Sequence, residues 1–448
     1  MPLVFGLLLL LLTWLPAAQA STARDAVAVA LEQLAQPLRD ARDLDPLIRA
    51  AGDARWVLLG ESSHGTHEFY AWRDLLSRRL VAEKGFTFIA IEASWSDVLP
   101  LDRYVRHAAG APGSARSALE QVRTWPRWVL ANEEMVQLGE WLHAFNRNRP
   151  PHLRVGIHGM DVHGIWDSLE AIRLFARRIG PAFAHWVDAA YAPLLGFQGD
   201  SFGYAKAVHG GGPSARSGAH RVADLLQRWA GTAPPALRAS LFEMAQHAGV
   251  VEAGERYLAS MGQPGPDSWN ARPLQFERTL HRLLDHYGAG SRAIVWAHNT
   301  HVGDARATNM ARRGEVNLGQ LLRQSSGPAA VFIVGFATGG GTVLAARSWD
   351  GPGEVMQLPP PRPDSLEAAL MQSRAGDRLL LFRTDAPLPG PLYDVIPHRA
   401  VGVVFVPQQE RRSNYVPTRP ALRYDALVFL PATQALSALD WSLLPILK

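Results

Sequence analysis

Two spacings of apolar residues recur along this chain, and together they predict an α/β fold. Short continuous apolar runs, typical of buried strands, occupy residues 56–59, 86–91, 153–157 and 292–297. Further runs that predict strands follow towards the C-terminus, at 329–336, 342–346, 378–382, 400–406 and 426–430. Between the first two runs, apolar residues from Phe69 to Leu80 recur at helical spacing and indicate an amphipathic helix.

The order of these elements predicts a three-layer α/β/α fold with a mostly parallel central sheet. Residues 56–91 have the pattern of a strand, a helix and a second strand, and such a unit places both strands parallel in one sheet. Residues 22–51 and 95–149 have mainly helical spacing. Residues 164–288 show helical patterns without a convincing strand and predict a helical insertion lobe. Within the lobe, 196–220 is rich in Gly, Ser and His and predicts a loop, either a lid or a disordered surface segment.

The first twenty residues have the pattern of a secretory signal peptide. An apolar run at 7–12 is broken by Pro16 and followed by Ala18-Gln19-Ala20, small residues of the kind that a signal peptidase accepts. The run is too short to span a bilayer stably. We therefore predict a signal peptide at 1–20, one mature domain at 21–448, and a protein exported to the periplasm or secreted.

Composition excludes several classes of function. The 448 residues include no cysteine, which excludes thiol catalysis, iron–sulfur clusters and cysteine–zinc sites. The net charge of +4 is spread along the chain without a block of Lys and Arg, so a nucleic-acid partner is not expected. After the leader, no segment has the length and apolar character of a membrane span.

Polar side chains capable of catalysis follow four of the predicted strands at the point where each strand ends. They are Glu61 with His64, then Glu92, then Asp161, and finally His298 with His301. Because the carboxyl ends of parallel strands meet at one edge of a sheet, we expect these side chains to face one crevice. An imidazole beside a carboxylate can accept a proton from water at neutral pH. The pattern therefore predicts an active site that uses general-base catalysis.

At these residues the sequence resembles the erythromycin esterase family. The similarity is carried by Gly60-Glu-Ser-Ser-His-Gly with Glu68 and Arg73 beyond it, Ile91-Glu-Ala-Ser, Gly159-Met-Asp, Ala297-His-Asn-Thr-His-Val and the closing Tyr424-Asp-Ala-Leu-Val-Phe. The resemblance implies a three-layer α/β core with a helical lobe. It also implies hydrolysis of a macrolactone ester by an activated water, with no metal and no cofactor.

The resemblance also implies a role for each matching residue. His64 would be the base, Glu61 and Glu92 would orient and charge-tune the imidazoles, and Arg73 would hold a carboxylate in place. The two histidines of the Ala297-His-Asn-Thr-His-Val motif would complete the pocket, and one of them could replace His64 as the base. Antibiotic-inactivating members act inside the cell, whereas this chain carries an export signal. Many members are not resistance enzymes, so the resemblance implies a small-molecule ester without naming it.

Several of these residues have a second interpretation. Asp161, Asn299 and Trp128 are candidate substrate-binding residues. Asp161 could instead cap the following helix, which we favour on sequence grounds. Arg73 could make a surface ion pair of little energetic value. The tryptophans of Trp125-Pro-Arg-Trp128 could be core packing, although aromatic walls also suit a bulky apolar ligand.

Three other functions are compatible with parts of the pattern. The same Glu and His side chains could bind Zn²⁺ or Mn²⁺ and activate water on the metal. However, the spacing of His298 and His301 is not the helical i, i+4 pair of a zincin. A non-catalytic haem-binding protein of the cell envelope would use a histidine as axial ligand. A Ser-His-Asp hydrolase is the weakest alternative, since no Gly-x-Ser-x-Gly turn joins a strand to a helix.

Overall fold

An eight-stranded β-sheet lies at the centre of the computed structural model, which describes residues 24–372 and 376–439. Within these residues, the strands in chain order are β1 (Ala35–Pro37), β2 (Trp56–Leu59), β3 (Phe88–Ser94), β4 (Gly156–Asp161), β5 (Ala293–Trp296), β6 (Val331–Thr338), β7 (Gly341–Ala346), β8 (Gly353–Leu358), β9 (Arg378–Leu381), β10 (Ile396–Arg399), β11 (Tyr415–Thr418) and β12 (Ala426–Leu430). The main sheet has the order β1-β9-β12-β6-β2-β5-β3-β4. From β12 to β4 every neighbouring pair is parallel, whereas β9 pairs antiparallel with β12 and with β1. The predicted mostly parallel sheet is confirmed.

Helices cover both faces of this sheet and complete the predicted three layers. A first helix, α1, runs through residues 24–34. The others are α2 (Asp45–Ala51), α3 (His67–Lys84), α4 (Trp95–Val105), α5 (Ala115–Leu119), α6 (Glu133–Asn146), α7 (Ile165–Ile179), α8 (Pro181–Leu195), α9 (Ser201–His209), α10 (Arg216–Thr232), α11 (Pro235–Ser260), α12 (Asp267–Tyr287), α13 (Asn299–Val302), α14 (Leu318–Ser326), α15 (Leu366–Leu370), α16 (Glu410–Ser413) and α17 (Pro420–Arg423). Among the residues described, none of these helices has the length and apolar character to cross a membrane.

Strand β2 shows how the central sheet acquires two cores. Val57 and Leu59 pack into the apolar cluster on one face, and Trp56 and Leu58 pack into the cluster on the other. Alternate side chains of a strand point to opposite faces, so a strand covered on both faces has a continuous apolar run instead of an alternating one. This explains why β2 is apolar at every position.

The strand–helix–strand unit forms as predicted, but its two strands are not neighbours. Strand β5 lies between β2 and β3 and is parallel to both. The carboxyl ends of these three strands therefore meet at one sheet edge, although β5 begins about two hundred residues further along the chain. This arrangement brings the polar residues after each strand together.

The helices predicted for 164–288 are present as α7 to α12. Helices α7 to α11 enclose an apolar cluster of their own, whereas α12 packs Phe276 and Leu280 into a cluster of the central sheet. The prediction of a loop or lid at 196–220 is wrong. Asp200 accepts a hydrogen bond from the backbone N–H of Gly203 and starts α9, and α10 begins at Arg216. Tyr204 is fully buried, and its hydroxyl donates a 2.9 Å hydrogen bond to Glu255 of α11. These tertiary contacts order a segment whose composition favours a loop.

Three predicted strands differ from the structure. The strand predicted at 153–157 begins only at Gly156 and continues to Asp161, and Pro151–Leu153 form a 3₁₀ turn before it. Residues 400–406 form isolated bridges with Ser63 and Ala346 instead of joining a ladder. Strand β7 forms at the predicted place, but it pairs with β8 in a separate hairpin. Short proline-containing strands such as β10 and β11 were not predicted, because they leave little periodic signal. The predicted signal peptide at 1–20 lies outside the residues described.

Candidate active site

The turn after β2 is packed too tightly for any residue but glycine at two positions. A side-chain carbon at Gly60 would collide with the side-chain oxygen of Asn299, and one at Gly65 would collide with the backbone of Leu344. The turn is therefore pressed between the segment after β5 and strand β7. Glu61, Ser62 and Ser63 are buried within it, and α3 begins directly afterwards.

Glu61, His64 and Arg73 form one connected group. The Nδ1 atom of His64 lies 2.8 Å from Oε1 of Glu61, and the guanidinium of Arg73 lies 2.6 Å from the other carboxylate oxygen. Arg73 is buried and sits over the rings of Tyr70 and Trp296, at 4.3 and 4.6 Å from their centroids. The alternative of a surface ion pair is therefore wrong for Arg73. Its guanidinium packs against aromatic rings, and its positive charge neutralises Glu61 at the carboxylate oxygen that does not contact His64.

The charge of Glu61 affects how His64 binds a proton. Burial alone would lower the pKa of His64, but the hydrogen bond and negative charge of Glu61, together with Glu92, raise it above its usual value. A carboxylate that accepts from Nδ1–H leaves Nε2 with the free lone pair. The ring is thereby prepared to accept a proton at Nε2.

Glu92 lies at the middle of a second group. One of its oxygens accepts a 2.7 Å hydrogen bond from the backbone N–H of His298. The other lies 3.2 Å from Nε2 of His301 and 2.6 Å from the guanidinium of Arg272. Burial opposes ionisation, yet the charges of His301, Arg272 and His64 hold the pKa of Glu92 well below its usual range. The structure thus brings Glu92 and the second histidine motif together.

Arg272 joins this group from α12 and was not singled out from the sequence. Its guanidinium makes a bidentate pair with Asp161, in which Nε lies 3.1 Å from Oδ1 and Nη2 lies 2.6 Å from Oδ2. The helix-cap interpretation of Asp161 is wrong, because Gly164 begins α7 without a side-chain cap. The sequence offers only a weak signal for Arg272. No carboxylate that could pair with its charge lies one helical turn away, where the residues are Ser268, Trp269, Gln275 and Phe276.

The three histidines occupy different positions. The rings of His64 and His298 lie 4.9 Å apart between centroids. His298 bonds to Thr300 through Nδ1 at 2.7 Å, and burial with the nearby His64 holds its pKa well below the usual value. His301 stacks flat on Trp269 at 4.7 Å. Both histidines of the second motif are nearly inaccessible, whereas His64 borders a cavity.

The cavity beside His64, the inner cavity, has a volume of about 120 Å³. Its lining includes His64, Glu92, Asp161, Arg272 and the apolar side chains of Val122, Trp125 and Leu130. A larger outer chamber of about 650 Å³ continues from it, and the two share Thr124, Trp125, His163 and Trp349. The outer chamber is bounded on one side by the helical lobe. A ligand that reaches His64 can therefore extend into a wide aromatic compartment.

Two of the candidate substrate-binding residues do not reach this cavity. Asn299 is fully buried, and its amide exchanges hydrogen bonds of 2.7 and 3.2 Å with the backbone of Phe336. Trp128 is buried in the main core behind the cavity wall. The expected contacts of Asn299 and Trp128 with substrate are therefore not supported. Trp125 lines the cavity instead, and Trp128 lies in the short 3₁₀ turn Arg127–Val129 that follows Pro126.

Comparison with known proteins places the chain in a family. The sequence model of the family described as erythromycin esterase matches residues 81–433. The chain belongs to the erythromycin esterase family. The matched range begins within α3, after the turn that carries Glu61 and His64. Membership supports an esterase acting on a small-molecule ester.

Individual relatives of this family member are distant. "Erythromycin esterase type II" from Escherichia coli is 24% identical over 153 residues, which cover 33% of this chain and 34% of that protein. The aligned part thus spans about a third of that relative. Three solved structures share the fold at low identity. They are a succinoglycan biosynthesis protein (21% identical, TM-score 0.71, covering 92% of this chain and 97% of that one), a Bacillus cereus protein (20%, 0.70, 93% and 99%) and a mutant of the erythromycin esterase EreC in its open conformation (21%, 0.65, 89% and 96%).

The site of this esterase-family chain does not fit a divalent metal. Both oxygens of Asp161 and one of Glu92 are bonded to Arg272, and the other oxygen of Glu92 accepts from the backbone of His298. A guanidinium thus occupies the space between carboxylates that a cation would need. Over residues 24–372 and 376–439, no group of three or more His, Asp or Glu side chains is arranged to hold a metal ion.

Proposed function

We propose that this protein hydrolyses a carboxylic ester by general-base activation of water at His64. One observation carries the proposal. Nδ1 of His64 is held by Glu61 at 2.8 Å, and the same ring borders the inner cavity, which leaves Nε2 for a water molecule there. Membership of the erythromycin esterase family supports the reaction class.

The reaction follows from the tautomer that Glu61 selects. Nε2 of His64 removes a proton from water while the water oxygen bonds to the ester carbonyl carbon. The carbon–oxygen bond to the leaving group then breaks, and the leaving alkoxide takes the proton back from Nε2. Glu61 stabilises the imidazolium formed between these steps, and Arg73 holds Glu61 in place from the buried side. The products are an acid and an alcohol.

Glu92, His298 and His301 pack together next to the proposed base. Glu92 fixes the backbone of His298 and the ring of His301, and the ring of His298 rests against that of His64. His298 is buried with a pKa well below the usual value, so it is predominantly neutral at neutral pH. These features favour His64 as the base and His298 as a residue that supports its ring.

The shape of the outer chamber favours a bulky ester over a small one. Its volume of about 650 Å³ is within the range of pockets for drug-sized ligands, about 300–1,000 Å³. Trp125, Trp166, Tyr257 and Trp349 provide aromatic walls. A macrolactone, as in the esterase relatives, is one such substrate. The ester group would enter the inner cavity while the remainder occupied the chamber.

A substrate screen tests this proposal. Purified mature protein is incubated with macrolides and with p-nitrophenyl esters of increasing size, each with and without EDTA. We expect hydrolysis that survives EDTA. Loss of activity on chelation, with recovery on adding Zn²⁺ or Mn²⁺, would favour the metal-dependent alternative. An absorbance band on adding haem, with no hydrolysis of any ester, would favour the haem-binding alternative.

We also propose that the enzyme acts outside the cytoplasm, on the basis of the leader at 1–20. N-terminal sequencing of protein from fractionated cells tests this. A mature chain beginning near Ser21 outside the cytoplasm is expected. Cytoplasmic protein that retains Met1 would contradict the proposal.

A further inference from the structure

Ester hydrolysis needs a group that the general base does not provide. When water adds to the carbonyl carbon, the former carbonyl oxygen gains a negative charge, and groups that stabilise this oxyanion commonly make the largest contribution to catalysis. His64 acts on the proton of water, and Arg73 is enclosed behind Glu61. A different donor must therefore face the reacting carbonyl.

We propose that Arg272 is this further catalytic residue, with its Nη1 atom donating hydrogen bonds to the oxyanion. The inference rests on the proposed function and goes beyond it, because it assigns the charge-stabilising group. Arg272 lines the inner cavity together with His64. Its side chain is 18% exposed, compared with 2% for Arg73, so its guanidinium can meet a ligand.

The hydrogen bonds of the guanidinium leave one nitrogen for substrate. Nε donates to Asp161 at 3.1 Å, and Nη2 donates to Asp161 and to Glu92, each at 2.6 Å. In the described ranges, Nη1 makes no hydrogen bond. The two N–H groups of Nη1 are therefore the unused donors of a cation at the cavity wall.

The two carboxylates fix the direction of Nη1 before substrate binds. A guanidinium is planar, so fixing Nε and Nη2 against Asp161 and Glu92 also fixes the third nitrogen. Donors that are already oriented cost no reorganisation during the reaction, and they act strongly in a site that excludes water. A lysine at this position could neutralise the carboxylates but could not offer a third, separately oriented donor.

Addition of water and loss of the alkoxide need only His64 for proton transfer and Arg272 for charge stabilisation. The water oxygen bonds to the carbonyl carbon, its proton passes to Nε2 of His64, and the electron pair of the carbonyl π bond moves to the oxygen facing Nη1 of Arg272. As that pair returns, the bond to the alkoxide breaks, and Nε2 protonates the alkoxide. Arg272 donates hydrogen bonds throughout and transfers no proton.

The test compares Arg272→Lys and Arg272→Ala with the parent on an ester that the parent hydrolyses. Arg272→Lys keeps a positive charge beside Glu92 and Asp161, so it is the variant expected to remain folded. We expect kcat to fall about 10²–10³-fold, the usual effect of removing one oxyanion donor, with little change in KM. Arg278→Ala, an exposed arginine on the same helix, is the matched control and should retain the parent rate.

Two further measurements separate catalysis from a structural role. Guanidinium or methylguanidinium added to folded Arg272→Ala should restore part of kcat, because the small cation can occupy the vacated space. An alkyl phosphonate monoester, which carries tetrahedral anionic oxygens, should bind the parent more tightly than Arg272→Lys. Thermal melts monitored by circular dichroism establish that each variant is folded.

The results separate the role of Arg272 from the proposed esterase activity. Folded Arg272→Lys with a kcat within threefold of the parent, or with unchanged phosphonate affinity, overturns the assignment of Arg272 while leaving the proposed function intact. A parent that hydrolyses no ester overturns the proposed function itself. If Arg272→Ala fails to fold, the kcat and phosphonate affinity of Arg272→Lys decide.

Discussion

Nδ1 of His64 lies 2.8 Å from Oε1 of Glu61, three residues earlier in the same turn. This contact favours the tautomer with the proton on Nδ1 and raises the pKa of His64, and the ring borders a cavity. The buried guanidinium of Arg73 holds the far side of Glu61 at 2.6 Å. The proposed base, the carboxylate that orients it and a counter-charge are thus positioned by one turn and the first helix that follows it.

Replacement of His64 by alanine should remove the base. General acid–base groups contribute about 10²–10⁴-fold in rate, so we expect activity to fall by at least about 10²-fold. His298→Ala should reduce the rate less, because His298 supports the ring of His64 and does not line the cavity. Steady-state kinetics and thermal melts on both variants provide the measurement.

The control for these variants is His152→Ala, at an exposed position in the described part of the chain. The nearer His67 would be a poor control, because its Nδ1 lies 2.6 Å from the buried carboxylate of Glu134. A wild-type rate in His64→Ala would show that the assigned site is wrong. A loss explained entirely by unfolding would make His64 a structural residue.

The pH dependence of kcat/KM should report the raised pKa of His64. The base is active only when neutral, so the rate rises as pH increases through this pKa, and the midpoint should lie above the usual histidine value of about 6.5. Glu61→Gln keeps the shape and removes the charge. It should lower the rate and move the midpoint to lower pH. If the midpoint does not move, Glu61 does not raise the pKa of His64.

Trp349→Ala should impair bulky substrates selectively. Trp349 is 49% exposed at the boundary of the outer chamber and the inner cavity. Loss of one aromatic wall is worth about 1 kcal/mol, or roughly a fivefold increase in KM for a bulky ester. KM for a small p-nitrophenyl ester should not change. Tyr393→Ala, an exposed aromatic outside both compartments, is the matched control, and equal effects of Trp349→Ala on both substrates would contradict the chamber assignment.

The pair of Glu367 and His398 should contribute to stability. Both side chains are fully buried and lie 2.6 Å apart, and His398 also contacts Asn299 at 3.3 Å behind the active-site turn. His398→Leu leaves a buried carboxylate without its partner, which typically costs about 3–5 kcal/mol. Urea unfolding at neutral pH measures the cost. Replacing both residues by leucine should recover most of it, since an apolar pair needs no counter-charge.

Glu367 determines how the stability contributed by this pair depends on pH. Burial raises its pKa, but the charges of His398 and Arg399 outweigh burial and lower it. A lowered pKa gives stability that is present above the unfolded value, about 4.3, and is lost as pH falls through the folded value. The difference between the parent and His398→Leu should therefore shrink below about pH 4. A constant difference would show that the carboxylate charge is not the cause.

Local sequence was sufficient to predict the strands of the parallel sheet and the chemistry at their ends. A strand buried on both faces must be apolar throughout, so β2 and β5 were visible in the sequence, and the residues after them had to meet at one sheet edge. Glu61, His64, Glu92, Asp161 and His298 were identified in this way. Each lies within or directly after a strand, where short-range pattern and position coincide.

Tertiary structure alone decided which side chains touch the cavity. Arg272 contacts Glu92 across 180 residues of chain, and no periodicity within α12 encodes that contact. The same holds for Trp125 and Trp128, three residues apart, of which one lines the cavity and the other packs in the core. Apolar periodicity specifies which face of an element is buried. The identity of the neighbour on that face depends on how distant elements pack, and packing is a property of the whole fold.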